Sequence, residues 1–287
     1  MMAWKRTKWV VLMVLALAVM VAVVGCGKSE EPKAEGDKTE NKQNVSGTVK
    51  VAGSTSVQPL AEELAQAFGD KNPDIKVDVA GGGSSAGVKA AQDKTANIGT
   101  SSRELKAEEK ASGLTETVIA KDGIAVVVHA NNQVAELTMD QIKKIYTGEI
   151  KNWKEVGGKD AAITVVNRDE ASGTRGAFEE IVLGKDVKFT SGAVIQNSTG
   201  AVRTAVSQDE NAIGYISIGS TDSSVKAVKV DGVDALEENV INGSYKISRP
   251  FLFLTNGTPD AATQAFIDFV LSPEGQKIVS EEFVPVK

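Results

Sequence analysis

Residues 167–175 read NRDEASGTR and separate a strand-like segment, residues 163–166, from a helix-like segment that runs through residues 179–180. Two other Ser/Thr/Gly stretches hold the same place between an apolar and a helical segment: GSTS at 53–56 and GGGSS at 81–85. Such loops bring hydroxyls and unpaired backbone N–H groups to helix N-termini. Arg168 adds a planar, permanently charged guanidinium. The pattern predicts a pocket for a small tetrahedral oxyanion.

Strand and helix patterns alternate from residue 48 onward. The spacing predicts strands over residues 48–52, 75–79 and 97–100, with helices over 57–68 and 84–92 between them. This β-α-β-α-β order favours a largely parallel sheet with ligands at the carboxyl ends of its strands. Further apolar runs predict strands over 124–128, 163–166, 212–217 and 249–254, and a helix over 202–206.

Helix starts are marked by capping residues. Thr138 and Gln141 have the spacing of a capping box. Thr258-Pro259 and Ser272-Pro273 each place a capping residue before a proline, which predicts two helices that begin there. The two buried-looking runs 124–129 and 247–254 border a central block, so we expect a chain that crosses into a second domain and returns.

The N-terminus has the pattern of a secretory signal. Lys5, Arg6 and Lys8 precede an apolar stretch over residues 9–24, and Gly25-Cys26 follow. Sixteen apolar residues are short for a ~30 Å hydrocarbon core, which disfavours the alternative of a permanent transmembrane anchor. Cys26 is the only cysteine and stands where a bacterial lipobox places the lipidated residue. We therefore predict a signal peptide over 1–25 and a polar, flexible tether over 26–47.

Charge and composition exclude several classes of function. The formal net charge is −6, and it becomes −9 when residues 1–25, with three cations and no acids, are removed. An acidic body disfavours nucleic acid as a partner. His129 is the only histidine and lies in an apolar run, so a Ser172-based hydrolase has no evident base. One histidine and one cysteine also make a metal site improbable, and we expect no cofactor.

Several short motifs occur in one order along the chain. They are GSTS at 53–56 with Pro59, GSSAGV at 83–88, IGTSSREL at 98–105, residues 142–153, Arg168 to Thr174, and AIGY at 212–215. In these motifs the chain resembles the phosphate-binding lipoproteins of bacterial phosphate-uptake ABC transporters. The resemblance covers residues 48–287. It implies an α/β, two-lobed class II periplasmic-binding-protein-like fold, each lobe a mixed sheet flanked by helices.

The same resemblance implies a division of the chain and a set of binding residues. Lobe I would comprise residues 48–127 and 249–287, and lobe II residues 128–248. Phosphate would be bound between them by residues from both lobes: Thr55, Ser56, Ser84, Ser102, Arg168, Ser172, Gly173 and Thr174.

One position departs from the longer members of that family. They have an aspartate where Ser102 stands, and that carboxylate accepts the proton of hydrogen phosphate. Asp169 and Glu170 either accept this proton in its place or orient the Arg168 guanidinium. We expect a monomeric, lipid-anchored extracytoplasmic receptor that delivers phosphate to a membrane permease. The alternatives are a binding protein for sulfate or molybdate and, less favoured, a phosphoester hydrolase.

Overall fold

The computed structural model describes residues 45–184 and 186–286. The predicted signal peptide, Cys26 and most of the predicted tether lie outside these residues. The first segment alternates strands and helices as predicted: β1 (Gly47–Gly53), α1 (Gln58–Lys71), β2 (Ile75–Gly81), α2 (Ser84–Gln92) and β3 (Ile98–Ser101). The short α3 (Ala107–Lys110), which was not predicted, follows. β1 pairs in parallel with both β2 and β3. The three strands therefore end at one edge of the sheet.

The central part of the chain begins with a long strand. Its elements are β4 (Thr115–His129), β5 (Glu136–Leu137), α4 (Met139–Thr147), a 3₁₀ turn (Trp153–Val156), β6 (Thr164–Arg168), α5 (Gly173–Phe178), a π-helical turn (Glu179–Leu183), β7 (Val194–Gln196), α6 (Thr199–Gln208), β8 (Ala212–Ser217), a second 3₁₀ turn (Ile218–Ser220), β9 (Val225–Ala227), β10 (Lys229–Val230) and α7 (Glu237–Ile241). The predicted capping box of α4 is confirmed, since Gln141 N–H donates to Thr138 Oγ1 over 3.1 Å.

The C-terminal part adds β11 (Ser248–Thr255), α8 (Ala261–Leu271) and α9 (Pro273–Val279). The predicted start of α9 is confirmed, with Ser272 as its cap and Pro273 in its first turn. The start predicted at Thr258-Pro259 is wrong. α8 begins two residues after Pro259 because Asp260 is its cap, and Asp260 Oδ1 accepts the N–H of Thr263 over 2.8 Å.

One mixed sheet organises the described residues. Its strand order is β2-β1-β3-β11-β4-β8-β6-β7, with β9 also paired to β4. The pairs at both ends of this order are parallel, whereas β11 and β4 in the middle are antiparallel to their neighbours. β4 contacts β11 through its first half and β8 through its second. The expectation of a largely parallel sheet therefore holds for the two ends only.

Two main hydrophobic clusters pack on this sheet. The first core draws its buried residues from 49–120 and 251–283, and the second core from 124–247. The chain passes between them twice, within β4 and just before β11. The division into lobes 48–127 plus 249–287 and 128–248 stays a prediction.

A buried ion pair lies where the chain passes between the cores. Arg249 on β11 donates to Asp122 Oδ2 on β4 from Nη2 over 2.8 Å and from Nε over 3.0 Å. Ser217 at the end of β8 donates to Asp122 Oδ1 over 2.8 Å. Both charged side chains are 1% exposed. Three strands are thus joined at the crossing through one carboxylate.

Candidate anion-binding site

Three hydroxyl-bearing loops of the first core meet because their strands are parallel neighbours. Gly53 at the end of β1 is in register with Gly81 of β2 and with Thr100 of β3. The residues that follow these strand ends, Ser54 and Ser84 among them, therefore leave the sheet at the same edge. This is the position that the sequence predicts for a ligand site in a parallel sheet.

The serines of these loops are in direct contact. Ser54 Oγ donates to Ser102 Oγ over 2.8 Å, and Ser84 Oγ lies 3.4 Å from Ser102 Oγ. Ser102 N–H also donates to Ser84 Oγ over 3.0 Å. All three side chains are at most 2% exposed. The predicted residues Ser84 and Ser102 are therefore brought together in the interior.

The second core contributes a charged side chain and two helix starts. Arg168 is the last residue of β6, and α5 follows after a short loop with Ser172 as its N-cap. Ser172 Oγ accepts the N–H of Arg175 over 3.1 Å. α6 begins at Thr199, separated by two residues from the end of the edge strand β7. Ser172 lies beside Gly173 in the chain, and its oxygen is engaged in capping.

Hydroxyls from the two cores are hydrogen-bonded to each other. Ser56 Oγ lies 2.8 Å from Thr174 Oγ1 and 2.9 Å from Thr199 Oγ1. Thr55 Oγ1 accepts Arg168 Nη2 over 3.1 Å. The structure thus brings Thr55, Ser56, Arg168 and Thr174 together, although they come from distant parts of the sequence.

Gly173 allows the closest approach between the two sides. A Cβ on Gly173 would lie 2.1 Å from Ser84 Oγ and 2.7 Å from Ser102 Oγ. Ser85 N–H also donates to the Ala171 carbonyl over 3.1 Å. Glycine is required at 173 because any side chain there would displace the two serines.

The Arg168 guanidinium is buried and has neutral partners. The residue is 1% exposed. Its guanidinium donates to the carbonyls of Gln196 and Asn197 over 3.3 Å each, and to the hydroxyls of Thr55 and Thr199. Within residues 45–184 and 186–286, no carboxylate oxygen lies within 4.0 Å of the Arg168 guanidinium. The arginines that have such a partner are Arg103, Arg203 and Arg249.

This burial has an electrostatic consequence. Loss of hydration lowers the pKa of Arg168 from its ordinary value, although the nearby Tyr215 and Asp169 oppose the change. Glu170 is exposed, and one carboxylate oxygen of Asp169, Oδ1, is buried with no hydrogen-bond partner among the described residues. A buried cation is costly when no carboxylate contacts it, and among the described residues none lies within 4.0 Å of Arg168. The arrangement therefore favours an anion beside Arg168.

A hydrogen-bonded pair holds the main chain of Arg168. Its N–H lies 2.8 Å from Asn167 Oδ1 and 3.3 Å from the Tyr215 hydroxyl, which itself donates to Asn167 Oδ1. The Tyr215 ring stacks on Phe178 with centroids 4.2 Å apart. Asn167 and Tyr215 both lie in motifs quoted from the sequence, but a contact between two strands leaves no local signal, so their pairing was not predicted.

The donor pattern fixes the direction of the Ser54–Ser102 bond. Ser54 Oγ accepts the N–H groups of Ser56, over 3.2 Å, and Val57, over 3.4 Å. A hydroxyl has two lone pairs and one hydrogen, so Ser54 donates to Ser102. Ser102 then has its own hydrogen free to donate. Position 102 can therefore serve as a donor, whereas an aspartate could only accept.

The described residues contain no cluster of three His, Cys, Asp or Glu side chains that could hold a metal ion. Over the same part of the chain, no helix is both long enough and apolar enough to cross a membrane.

Comparison with known proteins agrees with this geometry. A PBP superfamily domain is recognised over residues 38–274. Phosphate-binding protein PstS of Bacillus subtilis is 34% identical over 290 residues, which cover 98% of this chain and 95% of that protein. The chain belongs to the PstS family of phosphate-binding proteins.

Solved structures place this PstS family member in the α/β periplasmic-binding-protein-like fold. A Clostridium perfringens protein described as a phosphate ABC transporter substrate-binding protein, with bound phosphate, is 51% identical and has a TM-score of 0.82. The alignment covers 84% of this chain and all of that one. An ABC-type phosphate transport receptor from Vibrio cholerae is 36% identical with a TM-score of 0.69, covering 83% of this chain and all of the receptor. The PstS family comprises binding proteins rather than enzymes.

Proposed function

We propose that this protein binds inorganic phosphate at the buried cluster around Arg168. The observation that carries the proposal is an arginine that is 1% exposed and whose guanidinium has no carboxylate oxygen within 4.0 Å among the described residues. Hydroxyls from both cores surround it. A tetrahedral dianion supplies the missing charge and accepts several hydrogen bonds at once. The relatives described as phosphate-binding proteins support this choice of anion.

The proposed ligands come from both sides of the cluster. Thr55, Ser56, Ser84 and Ser102 donate from the first core, and Arg168, Ser172, Gly173 and Thr174 from the second. In the structure the hydroxyls are bonded to one another at 2.8–3.4 Å. Phosphate binding would therefore exchange hydroxyl–hydroxyl bonds for bonds to a charged acceptor, which are stronger.

Access to the cluster requires a conformational change. The serines and Arg168 are at most 3% exposed, so an anion cannot reach them unless the two sides separate. We propose that residues 48–127 with 249–287 and residues 128–248 act as two lobes that open and close around the ligand. The two chain crossings beside the Asp122–Arg249 pair are the proposed hinge.

The proposed setting is the outer face of the cytoplasmic membrane. The signal pattern before Cys26 supports export and lipid attachment at that cysteine. There the protein would pass phosphate to the permease of a phosphate ABC transporter. Cys26→Ala should release the protein into the soluble fraction of expressing cells without altering its affinity for phosphate. A variant that stays membrane-bound with its signal uncleaved would favour a transmembrane anchor instead.

Another tetrahedral oxyanion is the second candidate ligand. Ser102 can donate, and a site of donors accepts sulfate or molybdate as well as phosphate. Calorimetric titration of thoroughly dialysed protein tests the choice: we expect one phosphate per chain and weaker binding of sulfate and molybdate. Stronger binding of either competitor would reassign the ligand. Turnover of a chromogenic phosphoester by the same sample would favour the hydrolase alternative.

A further inference from the structure

Thr199 lies at the centre of the proposed site, although no motif singles it out as a ligand residue. It is the first residue of α6 and is 3% exposed. Its Oγ1 lies 2.9 Å from Ser56 Oγ, 3.3 Å from Thr55 Oγ1 and 3.4 Å from Arg168 Nη1. One hydroxyl thus contacts two residues of the first core and the buried cation of the second.

The hydrogen-bond count fixes the direction of the Thr55 hydroxyl. Thr55 Oγ1 accepts Arg168 Nη2 over 3.1 Å and the N–H of Thr199 over 3.3 Å. Neither a guanidinium nor a backbone N–H can accept, so both lone pairs of Thr55 are used. Its single hydrogen must then be donated, and Thr199 Oγ1 is an acceptor within reach.

The same count fixes Thr199. Its Oγ1 accepts from Arg168 Nη1 and from Thr55, which uses both of its lone pairs. Its hydrogen is left to donate toward Ser56 Oγ, which itself lies 2.8 Å from Thr174 Oγ1. Thr199 is therefore a donor aimed at Ser56 Oγ, one of the two hydroxyls that join the two sides of the site.

We propose that Thr199 is a further oxyanion-binding residue, donating its hydroxyl hydrogen to the ligand beside Arg168. The inference rests on the proposed function and adds α6 to the elements that hold the anion. When an anion oxygen takes the place of Ser56 Oγ as acceptor, the hydroxyl hydrogen of Thr199 already points toward that place. The contact of Thr199 with Arg168 Nη1 then keeps the hydroxyl in that direction.

The test removes the hydroxyl and keeps the shape. Thr199→Val should weaken phosphate binding about tenfold or more, as expected for a lost hydrogen bond to a charged acceptor. Thr199→Ser should restore the binding that valine loses. Thr204→Val makes the same change at an exposed position of α6 and should bind like wild type. Affinity is measured by calorimetry on dialysed protein, with the melting temperature of each anion-free variant as a check on folding.

A second background separates contact with the ligand from support of Arg168. If Thr199 contacts the anion, adding Thr199→Val to the Arg168→Lys variant should lower its phosphate affinity by a factor similar to that seen in wild type. These weak affinities are measured by ³¹P NMR titration. The absence of a further loss there would overturn the proposal. So would binding within about threefold of wild type for Thr199→Val, or equal losses for serine and valine.

Three further outcomes are also decisive. If valine lowers the melting temperature strongly, Thr199→Ala is the second hydroxyl-free variant, and wild-type affinity in it overturns the proposal. If wild type binds sulfate or molybdate and not phosphate, the proposed ligand fails, and the same variants are titrated with the anion that binds. A wild-type protein that binds none of the three anions overturns both the proposed function and the role of Thr199.

Discussion

Replacement of Arg168 by alanine should weaken phosphate binding more than any single serine-to-alanine change. Both terminal nitrogens of the guanidinium face site hydroxyls, Nη1 toward Thr199 and Nη2 toward Thr55, so two parallel bonds to one anion are available. Each hydrogen bond to a charged partner contributes about 1.5–3 kcal/mol net. Their sum is partly offset because alanine also removes an uncompensated buried charge from the anion-free protein.

We therefore expect a loss of about 3–4 kcal/mol, or roughly 100- to 1,000-fold in affinity. Removal of one serine hydroxyl should cost less, about tenfold to a hundredfold, because only one hydrogen bond to the anion is lost. Arg168→Lys should recover little, since an ammonium cannot present two parallel donors. Arg203→Ala is the matched control, because Arg203 is a partly exposed arginine on α6 that pairs with Asp222.

Calorimetric titration with phosphate measures wild type, the arginine variants and the serine-to-alanine variants, with ³¹P NMR for weak binders. Arg203→Ala should bind like wild type, which shows that the effect is local and not due to net charge. If Arg168→Ala binds within tenfold of a wild type that itself binds phosphate, the guanidinium is not a ligand. The electrostatic reasoning from its burial would then be wrong.

Three further predictions concern selectivity, closure and stability. Ser102→Asp should raise the preference for phosphate over sulfate at least tenfold, because a carboxylate can only accept and therefore rejects an anion without a proton. Ser102→Asn should not raise this preference. Equal preferences of the two variants in competition titrations would contradict the prediction. Gly173→Ala should weaken phosphate binding about tenfold or more in calorimetric titration, because the new Cβ would lie 2.1 Å from Ser84 Oγ. Gly200→Ala is the control and should bind normally, because a Cβ there meets no atom within 4 Å. Arg249→Ala should lower the free energy of unfolding by about 3–5 kcal/mol, because it leaves Asp122 buried and unpaired; urea unfolding that shows less than about 1 kcal/mol would refute a stabilising pair.

The sequence predicts the hydroxyl loops well because their chemistry is local. GSTS at 53–56 and the serines near 84 and 102 each follow a strand, and parallel strands bring their carboxyl ends together. The capping patterns of α4 and α9 are predicted for the same reason. At α8 the Thr258-Pro259 pattern predicts a start two residues too early, because Asp260 and not Thr258 caps the helix.

Long-range contacts could not be predicted in this way. Strand periodicity does not name a strand's partner, so the insertion of β11 between β3 and β4 was not foreseen. The same limit applies to Tyr215, whose bond to Asn167 joins two separate strands. Thr199 follows the Ser/Thr-before-helix pattern of the other loops. That pattern is also typical of an ordinary helix cap, so only the contacts with Ser56 and Arg168 distinguish the residue.

The most direct test of the central claim is a crystal structure of the dialysed protein grown with phosphate in a buffer free of other oxyanions. The account predicts one phosphate beside Arg168, with both terminal guanidinium nitrogens and the hydroxyls of Ser56 and Thr174 within hydrogen-bond distance of its oxygens. The hydroxyls of Ser56 and Thr174 should then each be bonded to the anion and no longer to each other. Phosphate bound elsewhere, or an unchanged Ser56–Thr174 contact in protein that calorimetry shows to be saturated, would contradict it.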